Sequence, residues 1–141
     1  QVVRLGNGTT IINDAYNANP ESTDAALQAV RRLPGRSVAV LGDMWELGAE
    51  GRRAHREIGA RAATLGFAVV VSAGDFAEEM CAGAVAAGLD PAAARPCATA
   101  AEAAAAVAGL WRSGDVILVK GSRGMRMEAA VAALEEAGRS P

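Results

Sequence analysis

Asp14-Ala15-Tyr16-Asn17-Ala18-Asn19-Pro20 is the stretch on which the fold of this chain turns. The β-branched run Thr9-Thr10-Ile11-Ile12-Asn13 precedes it, and Glu21-Ser22-Thr23-Asp24 follows, opening a segment with Ala25, Leu27, Val30 and Leu33 at helical spacing. The stretch therefore stands where a buried strand hands over to a helix. Ligands of open α/β sheets bind beyond the carboxyl ends of strands. A carboxylate, a phenol and two amides at such a corner are poor core material and good polar ligands. The alternative is a polar turn leading into a capped helix, because Asn and Asp favour turns and Pro suits the first helical turn.

Working outward, Gln1-Val2-Val3-Arg4-Leu5 and residues 9–13 flank Gly6-Asn7-Gly8, an Asn-Gly turn signal that predicts a β-hairpin. The chain opens directly in a strand without an initiator Met, which reads as a piece of something longer. Beyond the corner, helix and strand alternate. Helices are expected over 20–33, 49–65, 75–87, 99–111 and 125–137, strands over 37–41, 67–72 and 115–120, and a short, weakly patterned strand over 95–98. Asp75 is the expected N-cap of its helix, and Thr99 with Glu102 has the spacing of a capping box. Strands and helices of these lengths imply βαβ units, right-handed crossovers and a mostly parallel, Rossmann-like α/β sheet.

Composition describes one ordinary globular domain over residues 1–141. Hydrophobic residues make up 51% and charged residues 21%, and the formal net charge is −2. That charge leaves no electrostatic footprint for nucleic acid or an anionic membrane. No apolar run approaches a membrane span, and nothing at the start has the pattern of a signal peptide. Cys81 and Cys97 lack metal-ligand spacing, and the expectation for both is a reduced, ordinary thiol. A monomer in the cytoplasm is expected.

Three polar corners follow strand ends on one edge of such a sheet: residues 14–19, Gly42-Asp43-Met44, and Lys120-Gly121-Ser122-Arg123-Gly124. Carboxyl ends of parallel strands lie on one side, so the three can converge on one surface. For Gly42-Asp43 a helix cap or turn is the other reading, and for 120–124 a surface loop. A Lys, an Arg and a hydroxyl between two glycines, just ahead of a helix, make a natural cradle for a carboxylate or phosphate. The chain contains no Gly-x-x-x-x-Gly-Lys-Ser/Thr, hence no Walker A loop of its own, and no Gly-x-Gly-x-x-Gly after a first strand. His55, the one histidine, falls within the charged face of its helix and is expected to be solvated or to pack. Trp45 and Trp111 are expected to pack, and Met125 and Met127 to anchor the last helix.

Asp-x-Tyr-Asn-Ala-Asn-Pro resembles the signature of the C-terminal domain of the Mur ligases, above all the MurF type of peptidoglycan synthesis. Two further blocks agree in order and spacing. One is Val40-Leu41-Gly42-Asp43-Met44-Trp45-Glu46-Leu47-Gly48 with His55-Arg56-Glu57-Ile58-Gly59; the other is Val119-Lys120-Gly121-Ser122-Arg123-Gly124-Met125-Arg126-Met127-Glu128. The resemblance spans nearly the whole chain. It implies the third domain of a three-domain enzyme, the one that brings in the amine substrate and covers the nucleotide. Such enzymes use ATP and Mg2+ to activate a carboxylate as an acyl phosphate, which an amine attacks to give an amide. For the MurF type the partners are UDP-MurNAc-tripeptide and D-alanyl-D-alanine. The phosphate-binding loop, the metal sites and the catalytic groups would then lie outside this chain.

By the same resemblance Asp14 contacts the ribose hydroxyls, with Tyr16 and Asn17 on the adenosine side. Lys120, Ser122 and Arg123 face the dipeptide, whose carboxylate suits the basic groups, and Asp43 joins them. The family's Arg that shares the ribose contact stands about fifteen residues before the motif Asp, which by this resemblance would fall before Gln1; Arg4 is too close to substitute. Two rival readings stand beside this one: a stand-alone Rossmann or flavodoxin-like ligand-binding module, and a ligase of the folylpolyglutamate synthetase type. Asn17-Ala18-Asn19-Pro20 with Gly42-Asp43-Met44 argues against the second.

Overall fold

The Asn-Gly signal makes its hairpin: Gly8 takes a left-handed φ of 86°, and the Leu5 N–H donates to the Thr9 carbonyl at 2.8 Å. A computed structural model of the chain describes residues 1–139. Strand β1 (Val2–Arg4) runs antiparallel to β2 (Thr10–Asp14), with Val3 opposite Ile11. The elements that follow are α1 (Pro20–Arg31), β3 (Ser37–Gly42), α2 (Gly51–Leu65), β4 (Val69–Ala73), α3 (Ala77–Ala86), β5 (Ala94–Cys97), α4 (Ala100–Ala108), β6 (Val116–Lys120) and α5 (Glu128–Arg139). They form a six-stranded sheet of order β1-β2-β6-β3-β4-β5, parallel everywhere except at the hairpin.

Both faces of this sheet are covered, which is why its central strands are continuously apolar in sequence. Ala39, Leu41, Val70 and Leu118 pack under Leu27 and Val30 of α1, Ile58 and Ala62 of α2, and Met80 and Ala84 of α3. Val38, Val40, Val71, Ile117 and Val119 point the other way, onto Ala103 and Val107 of α4 and Val131 and Leu134 of α5. The period-2 alternation of the pleat distributes one run of Val, Leu and Ile between two cores.

The ends of the elements show where local sequence was enough. Asn19 caps α1, its Oδ1 accepting from the Ser22 N–H at 2.8 Å while the Ser22 Oγ accepts from the Asn19 N–H at 3.2 Å. Thr99 caps α4 as its spacing predicts, but Glu102 accepts from the Ala98 N–H, one residue outside the expected box. Asp75 does not cap α3. The helix starts at Ala77, Phe76 occupies the cap position, and the Asp43 carboxylate supplies the acceptors. The last helix begins at Glu128, later than expected, because residues 123–125 form a separate 3-10 turn and Arg126 takes a left-handed φ of 53°.

His55 corrects the expected orientation of α2. The buried stripe of that helix is Gly51, His55, Ile58, Gly59 and Ala62, so the imidazole faces the core and packs, while Arg52, Arg53, Arg56 and Glu57 face water. Gly59 and Gly83 let α2 and α3 meet: a Cβ on Gly59 would run into the Met80 carbonyl, and one on Gly83 into the Arg56 carbonyl. At the amino end of the sheet, buried Asp115 accepts from Arg36 at 3.0 and 2.9 Å and from the Arg112 N–H at 2.8 Å. That carboxylate raises the Arg36 pKa, and the pair ties the start of β6 to the segment entering β3.

Candidate functional site at the carboxyl ends of three strands

β2, β6 and β3 are neighbours, with Asp14 in register with Lys120 and Lys120 in register with Leu41. The three polar corners therefore do meet, as loops 14–20, 121–127 and 42–48. Two glycines permit this. A Cβ on Gly121 would lie 3.0 Å from the Gly42 Cα and 2.7 Å from Met127 Cγ, so the exits of β6 and β3 touch backbone to backbone. Met127, fully buried, sits over both and anchors the chain entering α5; Met125 packs partly buried beside it.

Within the first corner Lys120 is almost wholly buried, and its Nζ donates to Asp14 Oδ2 and to the Asn17 carbonyl, both at 2.9 Å. The Asp14 side chain is 44% exposed, so its carboxylate is braced by the ammonium yet open to the cleft. Asp14 and Lys120, assigned by the resemblance to different ligands, are thus one ion pair. Tyr16 is exposed, and the Arg123 guanidinium carbon lies 5.0 Å from its ring centroid, with Nη1 3.4 Å from the phenol oxygen. This is cation–π stacking between two loops, of modest strength at an exposed site. The exposed Asn17 folds its Oδ1 back to accept from the Ala18 N–H at 2.9 Å.

Asp43 and Ser122, expected beside the dipeptide, are both engaged in hydrogen bonds within the protein. Asp43 is buried and both its oxygens are occupied, by the Asp75 N–H at 2.8 Å and the Phe76 N–H at 3.0 Å. Gly74, at φ 118°, provides the room, since a Cβ there would strike the carboxylate. Asp43 is thus a cap, but for α3 across the sheet. Ser122, also buried, donates its N–H to the Asp43 carbonyl at 2.9 Å and accepts from the Trp45 N–H at 2.7 Å through Oγ. Both residues brace loops: the Asp43 oxygens are engaged by residues 75 and 76, and Ser122 Oγ holds the Trp45 N–H while the residue borders the cleft beside Arg123.

Two clefts open on either side of Arg123. One, of about 370 Å³, is lined by Asn13, Asp14, Ala15, Tyr16, Arg123 and Glu128. The other, of about 360 Å³, has Asn17, Trp45, Glu46, Ser122, Arg123 and Gly124 in its walls. Trp45 is half exposed, its ring lying against Gly124 where no Cβ would fit. Trp45, expected to pack, thus lines a cleft instead, and Asn13, Glu46 and Glu128 are lining residues that carry no functional signal in the sequence. Glu46 and Arg126, the non-glycine residues with positive φ among the described residues, mark these loops as held by their surroundings, but backbone angle leaves no trace in composition.

Among the described residues no three His, Cys, Asp or Glu side chains gather into a metal-binding group, and no helix is long and apolar enough to cross a membrane. Cys81, buried, and Cys97, partly buried, are free thiols whose pKa is pushed up by burial.

Comparison with known proteins places this geometry in a family. The family model described as "Mur ligase, glutamate ligase domain" matches residues 1–123. The UDP-N-acetylmuramoyl-tripeptide–D-alanyl-D-alanine ligase of Mycobacterium tuberculosis is 40% identical over 95% of this chain and 30% of its own length. The crystal structure of MurF from Acinetobacter baumannii superposes with a TM-score of 0.86 at 31% identity, covering 96% of this chain and 30% of that one. MurF ligase from Thermotoga maritima, solved in complex with ADP, gives a TM-score of 0.79 at 27% identity over 98% of this chain and 30% of that one. The chain thus spans about 30% of the length of the curated relatives it matches. With the sheet, the three converging corners and a family match over residues 1–123 in agreement, the chain belongs to the Mur ligase family, as its C-terminal, glutamate ligase domain.

Proposed function

We propose that this chain is the part of an ATP-dependent, amide-forming ligase that covers the nucleotide and presents D-alanyl-D-alanine to an activated UDP-MurNAc-tripeptide in peptidoglycan synthesis. The observation that carries the reading is the pair of clefts divided by Arg123, one walled by Asp14 and Tyr16, the other by Trp45 and Glu46. The first suits a nucleoside: a half-exposed carboxylate, oriented by the Lys120 ammonium, can accept from the two adjacent hydroxyls of a ribose. Tyr16 and the Asn17 loop form its rim. In the second cleft the Arg123 guanidinium can hold the dipeptide carboxylate by two parallel hydrogen bonds. Asp43 and Ser122 position these walls, and Lys120 ties them to Asp14.

In the whole enzyme ATP supplies the driving force by converting the tripeptide carboxylate to an acyl phosphate, with Mg2+ and the phosphate-binding loop contributed from beyond this chain. ADP leaves as the acyl phosphate forms; the amine then attacks the acyl carbon, losing a proton, and phosphate leaves as the amide forms. Everything the present residues do is holding and orienting, which is where much of the barrier to a reaction of three substrates resides. The names of the relatives and the ADP-bound neighbour support this reading. The same reading assigns the protein to the cytoplasm, as a monomer.

Phosphate release by the full-length protein tests the assignment. It should require UDP-MurNAc-tripeptide, D-alanyl-D-alanine and ATP together, while residues 1–141 alone should release none. Turnover by the purified chain alone, or by the full-length protein with glutamate in place of the dipeptide, would reassign it.

A further inference from the structure

The loop after β3 is held residue by residue, and by different elements. The Asp43 carbonyl accepts from the Ser122 N–H, the Met44 N–H donates to His55 Nε2 at 2.8 Å, and the Trp45 N–H donates to Ser122 Oγ at 2.7 Å. Immediately afterwards Glu46 stands at φ 64°, a conformation that a non-glycine residue keeps only where its surroundings impose it. Trp45 and Glu46 then line the second cleft.

His55 is the member of this set that comes from a helix remote from the cleft. It is fully buried, its Nδ1 donates to the Gly51 carbonyl, and its ring stacks on Phe76 with centroids 4.2 Å apart. With Nδ1 carrying the proton, Nε2 is left as the acceptor that Met44 needs. Phe76 in turn donates its N–H to Asp43 Oδ1 at 3.0 Å, closing a ring of contacts through residues 43, 44, 55 and 76. An imidazole kept in one tautomer, in one orientation, against the backbone of a cleft wall does more than fill space.

We propose that His55 is a positioning residue for the amine substrate: through the Met44 N–H it fixes residues 44–46 in the conformation that shapes the Trp45–Glu46 wall. The inference rests on the reading that the second cleft holds the dipeptide. His55→Phe keeps a ring to stack on Phe76 and removes the acceptor; His55→Gln replaces the acceptor at the reach of Nε2 and removes the ring.

Full-length enzyme carrying each substitution is assayed for KM of ATP, KM of dipeptide and backbone amide exchange over residues 43–47. His55→Phe should raise the dipeptide KM roughly threefold to tenfold, the size expected for a lost neutral hydrogen bond, with ATP KM within about twofold. Exchange in that segment should be faster, and His55→Gln should restore both. Unchanged dipeptide KM and unchanged exchange in His55→Phe, or failure of His55→Gln to recover either, overturns the proposal and leaves His55 as core packing. Should His55→Phe not fold, His55→Leu, which also lacks the acceptor, takes its place: unchanged dipeptide KM and exchange overturn the proposal, and both altered with recovery in His55→Gln uphold it. If exchange accelerates but Arg123→Lys in the same assay leaves dipeptide use untouched, the assignment of the cleft falls while the pinning of the loop stands.

Discussion

At the scale of single residues, the most consequential contact is Lys120 with Asp14, 106 positions apart in sequence and 2.9 Å apart in space. Both were visible in the sequence as polar groups at strand ends. Their pairing was not, because it depends on β6 inserting next to β2. The asymmetry of their burial, 4% against 44% side-chain exposure, sets the outcome of removing either one. Asp14→Ala strands a buried ammonium with the Asn17 carbonyl alone. Lys120→Met leaves a carboxylate that water can reach and refills the space of the lysine stem. Breaking a fully buried pair costs about 3–5 kcal/mol, and exposure of Asp14 reduces that. Chemical denaturation should therefore show Asp14→Ala as the more destabilised, by about 2 kcal/mol, and Lys120→Met by about 1 kcal/mol or less. The reverse order would mean that the ammonium is solvated and the pair is ornamental. Asp43 teaches a related lesson: its carboxylate was legible as a cap, but the capped helix begins 34 positions later and only the fold identifies it.

At the scale of elements, strands and helices were readable because turn chemistry, caps and apolar spacing agreed, as at Asn19, Gly8 and Thr99. Misreadings arose where tertiary contacts override local signals. Helix α5 begins late because Met127 is drawn over Gly42 and Gly121, and α3 is capped from β3. The burial of His55 was available in principle, since Gly51, His55, Ile58, Gly59 and Ala62 recur at helical spacing; the charged residues between them obscured it. The α2–α3 contact gives a test at this scale. Gly83→Ala places a methyl against the Arg56 carbonyl, forcing the helices apart, whereas Gly109→Ala at the end of α4, φ −86°, meets nothing nearer than 3.6 Å. Gly83→Ala should lower stability by about 1–3 kcal/mol. Gly109→Ala should be neutral or stabilising by up to about 1 kcal/mol, through the unfolded chain. Equal effects in thermal melts would show that α2 and α3 pack less tightly than described.

At the scale of the whole molecule, strand order is what makes a site. The β2 to β3 connection skips one position and the β5 to β6 connection passes back over β4 and β3, so β6 inserts between β2 and β3 and brings three distant loops to one edge. Composition and periodicity reached the parallel sheet and the side on which ligands would bind. The ordered motifs reached the family. The division of the site into two clefts around Arg123, and the bracing contacts of Asp43, Ser122 and His55, arise only from long-range packing in the fold.

The central claim is that Arg123 holds the incoming dipeptide at the divide between those clefts. Steady-state kinetics of the full-length ligase carrying Arg123→Lys test it most directly, because Lys keeps the charge and loses the two-pronged geometry. The KM for D-alanyl-D-alanine should rise roughly tenfold or more while that for ATP stays within about twofold. An unchanged dipeptide KM, or a loss confined to ATP, would contradict it.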